Sequence, residues 1–595
     1  MDSLRAVVRS LLKQRIFQPL HNFESRLSFF TPSDWFIVAT IGIVMALAAG
    51  TLLAGVSVAL TDEVPARGGT YIEGVAGTPR FVNPLLAISD TDRDLTALVY
   101  SGLLKANPDG SLSPDLASSY DISKDQRTYT FTLKDTARFH DGAQVTAEDV
   151  AFTVRQAQNP DVKSPARANW EGVDVTIIDP KTVSFTLKTP YAPFLQNTTL
   201  GILPKHLWQG VTAEQFPFST LNANPVGSGP YTVANVKRNS SGIPTEYDLV
   251  AFTRGTRTPF IANFIFKFYA DVDVLKNAFN QGAVSAAYGI APSSISAAHL
   301  VNEAIFGRVF GVFFNQNQNK IFSEEPVRRA LDIAVDKNAL VSTILKGYGS
   351  AIDGPLPPEG IGISAANAGS KEERIASARA VLVKAGWKAG TDGVFEKTVT
   401  VNKKKQTERL AFSLSTSNMS ELKSAAELAA DDWKALGADV ALQFFDQNDL
   451  TIDVLRPRKY DALLFGLVVG RESDLYPFWH SSQRNDPGLN IALYANANVD
   501  KALEAARTED DPLARREKVK TAAKTIASET AAVFLYTPHF VYLSPPSAQG
   551  IVLGTIETPS DRFISVDEWY LMTERLWPVF TMNWHSVFNN LFNHI

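Results

Sequence analysis

Histidine and serine are the residues of this chain whose spacing could indicate catalysis or metal binding. No histidine lies in an H-E-x-x-H pattern or at a comparable metal-ligand spacing; the eight histidines are at positions 21, 140, 206, 299, 480, 539, 585 and 594. The turn Gly227-Ser228-Gly229 lacks the G-x-S-x-G arrangement of a serine nucleophile. No G-x-x-x-x-G-K-[ST] loop is present, so we expect no ATP hydrolysis. These patterns predict that the protein is not an enzyme and holds neither a metal nor a cofactor.

The composition excludes further classes of site and partner. The 57 basic and 62 acidic residues give a formal net charge of −5, which offers no electrostatic footprint for nucleic acid. The chain has no cysteine, which excludes disulfides, thiolate metal sites and a cysteine-linked lipid anchor. Its 595 residues suffice for several domains. If the protein is held at a membrane, the polypeptide itself must hold it.

Residues 36–60 contain no charged side chain. A helix of about 20 apolar residues crosses the hydrocarbon core of a bilayer, and Trp35 at its edge suits the interface. A cleaved signal peptide is the alternative, but its apolar region is usually about 7–15 residues and its basic region is shorter. We therefore predict an uncleaved transmembrane anchor at 36–60, preceded by a cytoplasmic basic arm at 1–35 and followed by a linker at 61–67.

The cations of the N-terminal arm favour its cytoplasmic location; they are Arg5, Arg9, Lys13, Arg15 and Arg26. Only Arg26 is close to the predicted span. Residues 4–17 form either a basic amphipathic helix on the inner membrane surface or a frayed arm. The expected topology is a single-pass protein of the cell membrane with an extracytoplasmic soluble domain.

The soluble part alternates between the hydrophobic periods of strands and of helices. Predicted strands lie at 129–133, 183–187, 308–314, 409–415, 439–445 and 460–465. Predicted helices begin at Thr146 or lie at 326–345, 371–386, 419–436 and 448–456. Thr146 with Asp149 three residues later is close to a capping box. Strands that alternate with helices predict an α/β fold.

Seven segments in order over about residues 68–570 resemble the solute-binding proteins of ABC importers, in the family that binds peptides, oligopeptides and nickel. The most specific is Phe139-His140-Asp141-Gly142, followed by TAEDV at 146–150. The other six are NP at 83–84, YSGLL at 100–104, PKH at 204–206, NPVGSGPY at 224–231, VRRAL at 327–331 and AGW at 385–387. The side chains of His140, Asp141, Glu148 and Asp149 are expected to stabilise a turn and a helix start rather than bind solute.

The resemblance implies a class II periplasmic-binding-protein fold, with two lobes that close over a ligand. It places lobe one at 68–105, 206–305 and 536–570, an extra domain at 106–205, and lobe two at 306–535. It also implies a monomer that captures peptides or oligopeptides and passes them to ABC permease subunits. A surface sensor or adhesive protein that uses the same fold without transport is the alternative.

The resemblance further implies that ligand contacts lie near residues 460–479. Peptide-binding members carry G-W and then an aspartate for the ligand's amino terminus, but here Leu467 replaces the tryptophan and Gly470 is near the aspartate position. Either Glu472 or Asp474 takes that role, or the ligand has no free amine there, because an unpaired buried charge is costly. The predicted contacts are Asp474, Glu472, Arg471, Gly470, Tyr476, Trp479 and Trp170.

Residues 571–595 extend past the expected end of the family. Their aromatic residues recur every three or four positions, which predicts an aromatic C-terminal helix; they are Trp577, Phe580, Trp584, Phe588 and Phe592. This helix would dock on lobe one or lie in the membrane interface.

Overall fold

A computed structural model describes residues 31–358, 369–401, 404–471 and 473–577. The predicted basic arm lies outside this part up to residue 30, and so does the predicted aromatic helix beyond residue 577. The chain forms two compact units, one of Met1–Ala66 with Thr573–Ile595 and one of Arg67–Met572.

The strands follow one another along the chain as β1 Asp62–Ala66, β2 Gly68–Ala76, β3 Leu104–Ala106, β4 Leu112–Pro114, β5 Ala117–Ile122, β6 Thr128–Leu133, β7 Asp174–Asp179, β8 Thr182–Thr186, β9 Tyr231–Arg238, β10 Pro244–Ala251, β11 Ile261–Tyr269, β12 Ala286–Tyr288, β13 Leu300–Ile305, β14 Arg308–Phe314, β15 Gly349–Ala351, β16 Lys388–Ala389, β17 Phe395–Val401, β18 Lys404–Arg409, β19 Ala411–Ser417, β20 Asp439–Phe445, β21 Ala462–Val468, β22 Ala532–Ser544 and β23 Met572–Leu576.

The helices are α1 Pro32–Leu60, α2 Asp90–Val99, α3 Ala147–Gln158, α4 Arg167–Trp170, α5 Phe194–Asn197, α6 Lys205–Trp208, α7 Val272–Asn280, α8 Glu325–Ala334, α9 Lys337–Ile344, α10 Lys371–Lys384, α11 Ser420–Leu436, α12 Gln447–Asp449, α13 Tyr476–Trp479, α14 Ala497–Arg507 and α15 Pro512–Ser528.

The first unit contains the long helix α1 and a two-stranded ladder of β1 and β23. Thr31 caps α1, because its side chain and that of Asp34 bond to each other's backbone N–H groups. Among the side chains that the structure describes, no helix is long and apolar enough to cross a membrane. The predicted span at 36–60 includes residues 53–59, whose side chains lie outside the described part.

The pairing of β1 with β23 differs from the sequence prediction for both segments. The predicted linker at 61–67 contains β1, and the first residues of the predicted aromatic helix form β23 instead. Thr573 Oγ1 donates to Glu63 Oε1 at 2.6 Å, which joins the two strands through their side chains. The aromatic periodicity begins only at Trp577, so it does not include the residues of β23, which pair with a strand about 500 residues away in sequence.

One large sheet runs through the second unit in the order β20-β19-β21-β14-β22-β12-β2-β11-β10-β9, with β13 and β15 also paired to β22. Residues 71–286 and 540–569 contribute to one core, and residues 309–536 to two others. We name the parts around these cores lobe one and lobe two. In β14, Val309 and Phe313 enter one core of lobe two, whereas Val312 and Phe314 enter the other, so both faces of the strand are covered.

A separate four-stranded sheet, β5-β6-β8-β7, occupies part of residues 106–205. Helix α3 begins after Thr146, and Thr146 and Asp149 form the expected reciprocal capping box. The core of this part is continuous with that of lobe one.

The helix predicted at 326–345 is two helices, α8 and α9. Val335 is extended, and the Asp336 carboxylate accepts a hydrogen bond from the Ala339 backbone N–H at 2.9 Å, which starts α9. The Asp336 N–H donates to Asp432 at 2.9 Å rather than to the preceding turn. An apolar stripe of constant period does not reveal such a break, because both helices pack on the same core.

Candidate functional site

The chain crosses between the lobes at β22 and again at residues 305–308. Ile305 pairs with His539 in lobe one, and the Gly307 N–H donates to the Ile556 carbonyl at 2.7 Å. The next contact is in lobe two, where the Val469 N–H donates to the Gly307 carbonyl at 2.8 Å. A Cβ on Gly307 would lie 2.8 Å from the Val469 carbonyl oxygen, so this crossing has no room for a side chain. Arg308 and Val468 are opposite each other in the register immediately beside it.

Five side chains beside this crossing form what we call the hinge-side cluster: Phe306, Arg308, Phe310, Glu421 and Tyr536. The Arg308 guanidinium lies 4.0 Å from the centre of the Phe306 ring. The ring of Phe310 stacks on Tyr536 at 5.1 Å, and the Tyr536 hydroxyl donates to Glu421 Oε1 at 3.1 Å. Glu421 is in the first turn of α11. The cluster thus joins the start of β14, the start of α11 and the middle of β22.

Gly466 supports this cluster from the neighbouring strand. It is opposite Phe310 in the β14–β21 register, and a Cβ added to it would lie 2.6 Å from the Phe310 ring. The Phe310 ring therefore occupies space that a Cβ at residue 466 would fill.

The two charges of the hinge-side cluster have no ionic partner within 4 Å among the described residues. Arg308 is half-buried, and its Nε lacks a hydrogen-bond partner. Burial lowers the pKa of Arg308, while the negative charges of Asp90 and Glu421 act in the opposite direction. Burial raises the pKa of Glu421, while the Tyr536 hydroxyl and Arg308 act in the opposite direction. Arg93 and Asp90 belong to α2 of lobe one, so the charges around Arg308 come from both lobes. The site is polar, and other described side chains within 4 Å do not pair its two charges.

Comparison with known proteins identifies the family of the chain. The family model of the bacterial extracellular solute-binding proteins, family 5 Middle, matches residues 111–487, more than half of the chain. The chain belongs to family 5 of the bacterial extracellular solute-binding proteins. It is therefore a solute-binding protein of the ABC-importer class, with the two-lobed α/β fold, and not an enzyme.

Individual family 5 proteins match over most of their length. Protein XP55 of Streptomyces lividans is 30% identical over 494 residues, which is 79% of this chain and 84% of that protein. The oligopeptide-binding protein AppA of Bacillus subtilis is 24% identical over 554 residues, which is 90% of this chain and 97% of AppA. The crystal structure of NikZ from Campylobacter jejuni with Ni(L-His) has a TM-score of 0.63 and 27% identity, and covers 84% of this chain and 99% of NikZ.

The sequence predicted that Asp474 could bind the amine of a ligand. In the structure, the guanidinium of Arg507 lies beside Asp474. Its Oδ2 accepts hydrogen bonds from Arg507 Nε at 3.0 Å and Nη2 at 2.6 Å, and its Oδ1 accepts one from the Tyr476 N–H. The Arg507 guanidinium also lies 3.9 Å from the centre of the Tyr476 ring. A ligand ammonium would reach Asp474 only in competition with Arg507.

Arg471 and Gly470 contact lobe one. Arg471 Nη2 is 2.7 Å from Asp561 Oδ1, and the Arg471 N–H donates to Glu557 Oε1. A Cβ on Gly470 would lie 3.3 Å from Glu557 Oε1. Glu472 lies outside the described residues. This loop therefore carries an ion pair between the two lobes.

The two predicted tryptophan contacts are in hydrophobic cores. Trp479 is 0% exposed and packs on Phe313, Tyr494 and Phe534. Trp170 is 2% exposed and packs on Phe185 and Phe194 at 5.3 and 5.6 Å. Neither ring presents a surface to a solute in this conformation.

The motif residue His140 makes structural contacts of the kind that the sequence predicts. His140 Nε2 donates to the Gly229 carbonyl at 3.1 Å, and its Nδ1 accepts from the Gly227 N–H at 3.3 Å. These bonds connect two of the family motifs. An open surface cavity of about 540 Å³ lies beside them, away from the hinge-side cluster, and His140, Asp141 and Arg238 are among its lining residues.

Neither Arg308 nor Glu421 was predicted from the sequence to be a binding residue. One signal was available for Arg308, since it is the charge that opens the predicted apolar strand at 308–314. Glu421 gave no comparable signal, because an acidic residue in the first turn of a helix is ordinary. In the described part of the chain, no group of three or more histidine, aspartate and glutamate side chains is arranged to hold a metal ion.

Proposed function

We propose that this protein captures peptides or oligopeptides between its lobes and delivers them to the permease subunits of an ABC importer. The observation that carries this proposal is the hinge-side cluster, where two half-buried charges of opposite sign lack ionic partners beside an aromatic pair. A ligand with both charges and apolar side chains would supply what the cluster lacks. The oligopeptide-binding AppA, which this chain matches over 97% of that protein, supports the same class of ligand.

The two crossings at β22 and 305–308 give the lobes the connections of a hinge. Closure about them would bury a ligand that contacts both lobes and would favour the closed state by its differential affinity. The ion pair of Arg471 with Asp561 is positioned to hold the lobes at one edge during this motion. Of the residues predicted from sequence, Asp474, Glu472, Gly470 and Tyr476 remain proposed contacts around that loop.

We further propose the domain boundaries implied by the family. Lobe one would comprise 68–105, 206–305 and 536–570, the extra domain 106–205, and lobe two 306–535. The separate cores of lobe two support its division from lobe one, and the separate sheet β5-β6-β8-β7 supports an extra domain within 106–205. The protein would act as a monomer, since one chain contains both lobes.

The proposal includes a membrane anchor in α1. This 29-residue helix carries no charge over 36–60, and apolar side chains are exposed along it, including Phe36 at 75% and Met45 at 66%. A helix that is apolar around its whole circumference suits a bilayer better than water. Such an anchor would keep the binding domain at the outer face of the cell membrane without a lipid, and the basic arm at 1–35 would face the cytoplasm.

Membrane fractionation tests the anchor. The full-length protein should stay in the membrane fraction after alkaline carbonate washing, and a variant without residues 1–60 should be recovered in the soluble fraction. Mass spectrometry of the mature N-terminus provides the control for cleavage. A mature protein that begins after residue 60, or one that carbonate extracts, would contradict the anchor.

Uptake of labelled oligopeptides by the source bacterium tests the transport role. Deletion of the gene should lower uptake of at least one peptide class, and the full-length gene should restore it. A gene that lacks residues 1–60 serves as a comparison, because it separates binding from anchoring. Unchanged uptake of every peptide class after deletion would favour a sensory or adhesive role instead.

A further inference from the structure

Arg308 and Glu421 differ from the other charged side chains near the crossing. Asp474 is compensated by Arg507, and Arg471 by Asp561. In contrast, no carboxylate within 4 Å and no hydrogen-bond acceptor meets the Arg308 guanidinium among the described residues. Glu421 has a hydroxyl donor but no cation within the same limit. Two charges of opposite sign are therefore available at one site.

We propose that Arg308 and Glu421 bind the two charged ends of a zwitterionic ligand, the carboxylate at Arg308 and the ammonium at Glu421. This inference rests on the proposed function and gives it a specificity: a short peptide with free termini rather than a neutral or singly charged solute.

The position of the Arg308 side chain suits it to bind a carboxylate. Its Nε is enclosed and it lies against the Phe306 ring, so packing fixes the direction of the side chain. The rest of the guanidinium stays half-exposed, with N–H groups that have no acceptor in the protein. A carboxylate accepts such N–H groups in a charge-assisted pair, and a planar guanidinium holds it in a defined orientation.

Glu421 is the complementary site. Tyr536 donates to Oε1, which orients the carboxylate and leaves Oε2 without a hydrogen bond from the described residues. Burial disfavours the ionised form, as the raised pKa of Glu421 indicates. An ammonium that approaches Oε2 would compensate this desolvation and restore the charged state.

The residues between these two charges form a continuous connection. Arg308 and Phe310 project from the same face of β14, since side chains alternate along a strand. Phe310 stacks on Tyr536, and Tyr536 bonds to Glu421. Tyr536 is 0% exposed and supports the half-buried Phe310 ring, so Phe310 provides the apolar surface of the cluster on which a peptide side chain can pack.

Four pools of one short-peptide library test this inference: free termini, N-acetylated, C-amidated and doubly blocked. The full-length protein is incubated with each pool, and native mass spectrometry measures the retained peptides. The wild-type protein should retain peptides from the free pool at least about tenfold more than from either singly blocked pool. Arg308→Gln should remove the preference for free over amidated peptides, and Glu421→Gln the preference for free over acetylated peptides.

Two variants control for structure and charge. Glu427→Gln changes an exposed carboxylate on the same helix as Glu421, and Arg127→Gln changes an exposed guanidinium in another part of the chain. Both should keep the wild-type preferences. Thermal unfolding checks that R308Q and E421Q are folded.

The possible outcomes separate the two proposals. If wild-type protein retains peptides but R308Q and E421Q keep both preferences, the assignment of Arg308 and Glu421 is wrong while peptide binding stands. A wild-type protein that does not distinguish free from blocked peptides would also overturn the assignment. If no pool yields any bound peptide, the proposed function is wrong, and this inference with it.

Discussion

At the scale of single residues, His140 shows how a motif residue contributes to stability without touching a ligand. Its ring is half-buried, packs at 4.8 Å on Phe252, and bonds through both nitrogens to backbone groups at Gly227 and Gly229. Burial lowers the pKa of His140 to about 4, although the Gly229 carbonyl and Asp141 oppose the shift. Protonation of Nδ1 would also set a proton against the Gly227 N–H. The folded protein therefore requires the neutral ring.

The shift of His140 predicts a pH dependence of stability. Because the folded pKa lies below the unfolded value of about 6.5, the contribution is complete above that value and is lost as the pH falls toward about 4. The stability advantage of wild type over His140→Gln should therefore shrink by about 3 kcal/mol between about pH 7 and pH 4. Urea unfolding at several pH values measures this. H206Q, at an exposed histidine, is the control, and an advantage independent of pH would contradict the assignment.

At the scale of secondary-structure elements, the close approach of β14 and β21 determines the geometry of the hinge-side cluster. Gly466→Ala would put a Cβ 2.6 Å from the Phe310 ring and should displace the ring from Tyr536. We expect a loss of about 1–3 kcal/mol in unfolding free energy, together with weaker ligand binding. Gly210→Ala is a matched control, because no atom lies within 4 Å of a Cβ at that position.

Denaturant unfolding and ligand titration of G466A and G210A provide the measurement. Equal stability and equal affinity in the two variants would show that the Phe310 ring has room to move. Loss of stability without loss of affinity would remove Phe310 from the binding surface but leave the packing argument intact.

Individual elements show what the sequence could and could not predict. The strand at 308–314 and the strand at 439–445 agree with β14 and β20, because apolar residues confined to a short run leave few alternatives. The break between α8 and α9 depends on Asp336 and its distant partner Asp432, which periodicity does not include. The residues of the candidate site were harder to predict from the sequence than the secondary structure. Asp474 was a reasonable choice by residue type, but its pairing with Arg507 becomes visible only when α14 is placed beside it.

At the scale of the whole molecule, Arg471 links lobe two to lobe one. Its side chain and that of Asp561 are 11% and 17% exposed, so water screens the pair only partly. Arg471→Gln should lower the unfolding free energy by about 2 kcal/mol, because Asp561 keeps its backbone donors but loses its cation. Hydrogen exchange in the segment around residues 556–561 should become faster, since lobe two no longer holds it.

The matched control for Arg471 is Arg409→Gln, which breaks an ion pair whose side chains are 45% and 50% exposed. We expect a much smaller loss of unfolding free energy there, because water screens an exposed ion pair. Equal effects of R471Q and R409Q, with unchanged exchange at 556–561, would show that the lobes do not depend on this ion pair.

Native mass spectrometry of the protein purified from its own cells can show whether the two lobes enclose a peptide. The full-length protein should carry additional mass, and release under denaturing conditions should yield short peptides that tandem mass spectrometry can sequence. Arg308→Gln and Glu421→Gln proteins purified in parallel should carry less of the same peptides. Consistent recovery of one non-peptidic ligand, such as a metal chelate, in place of peptides would show that the lobes do not enclose a peptide.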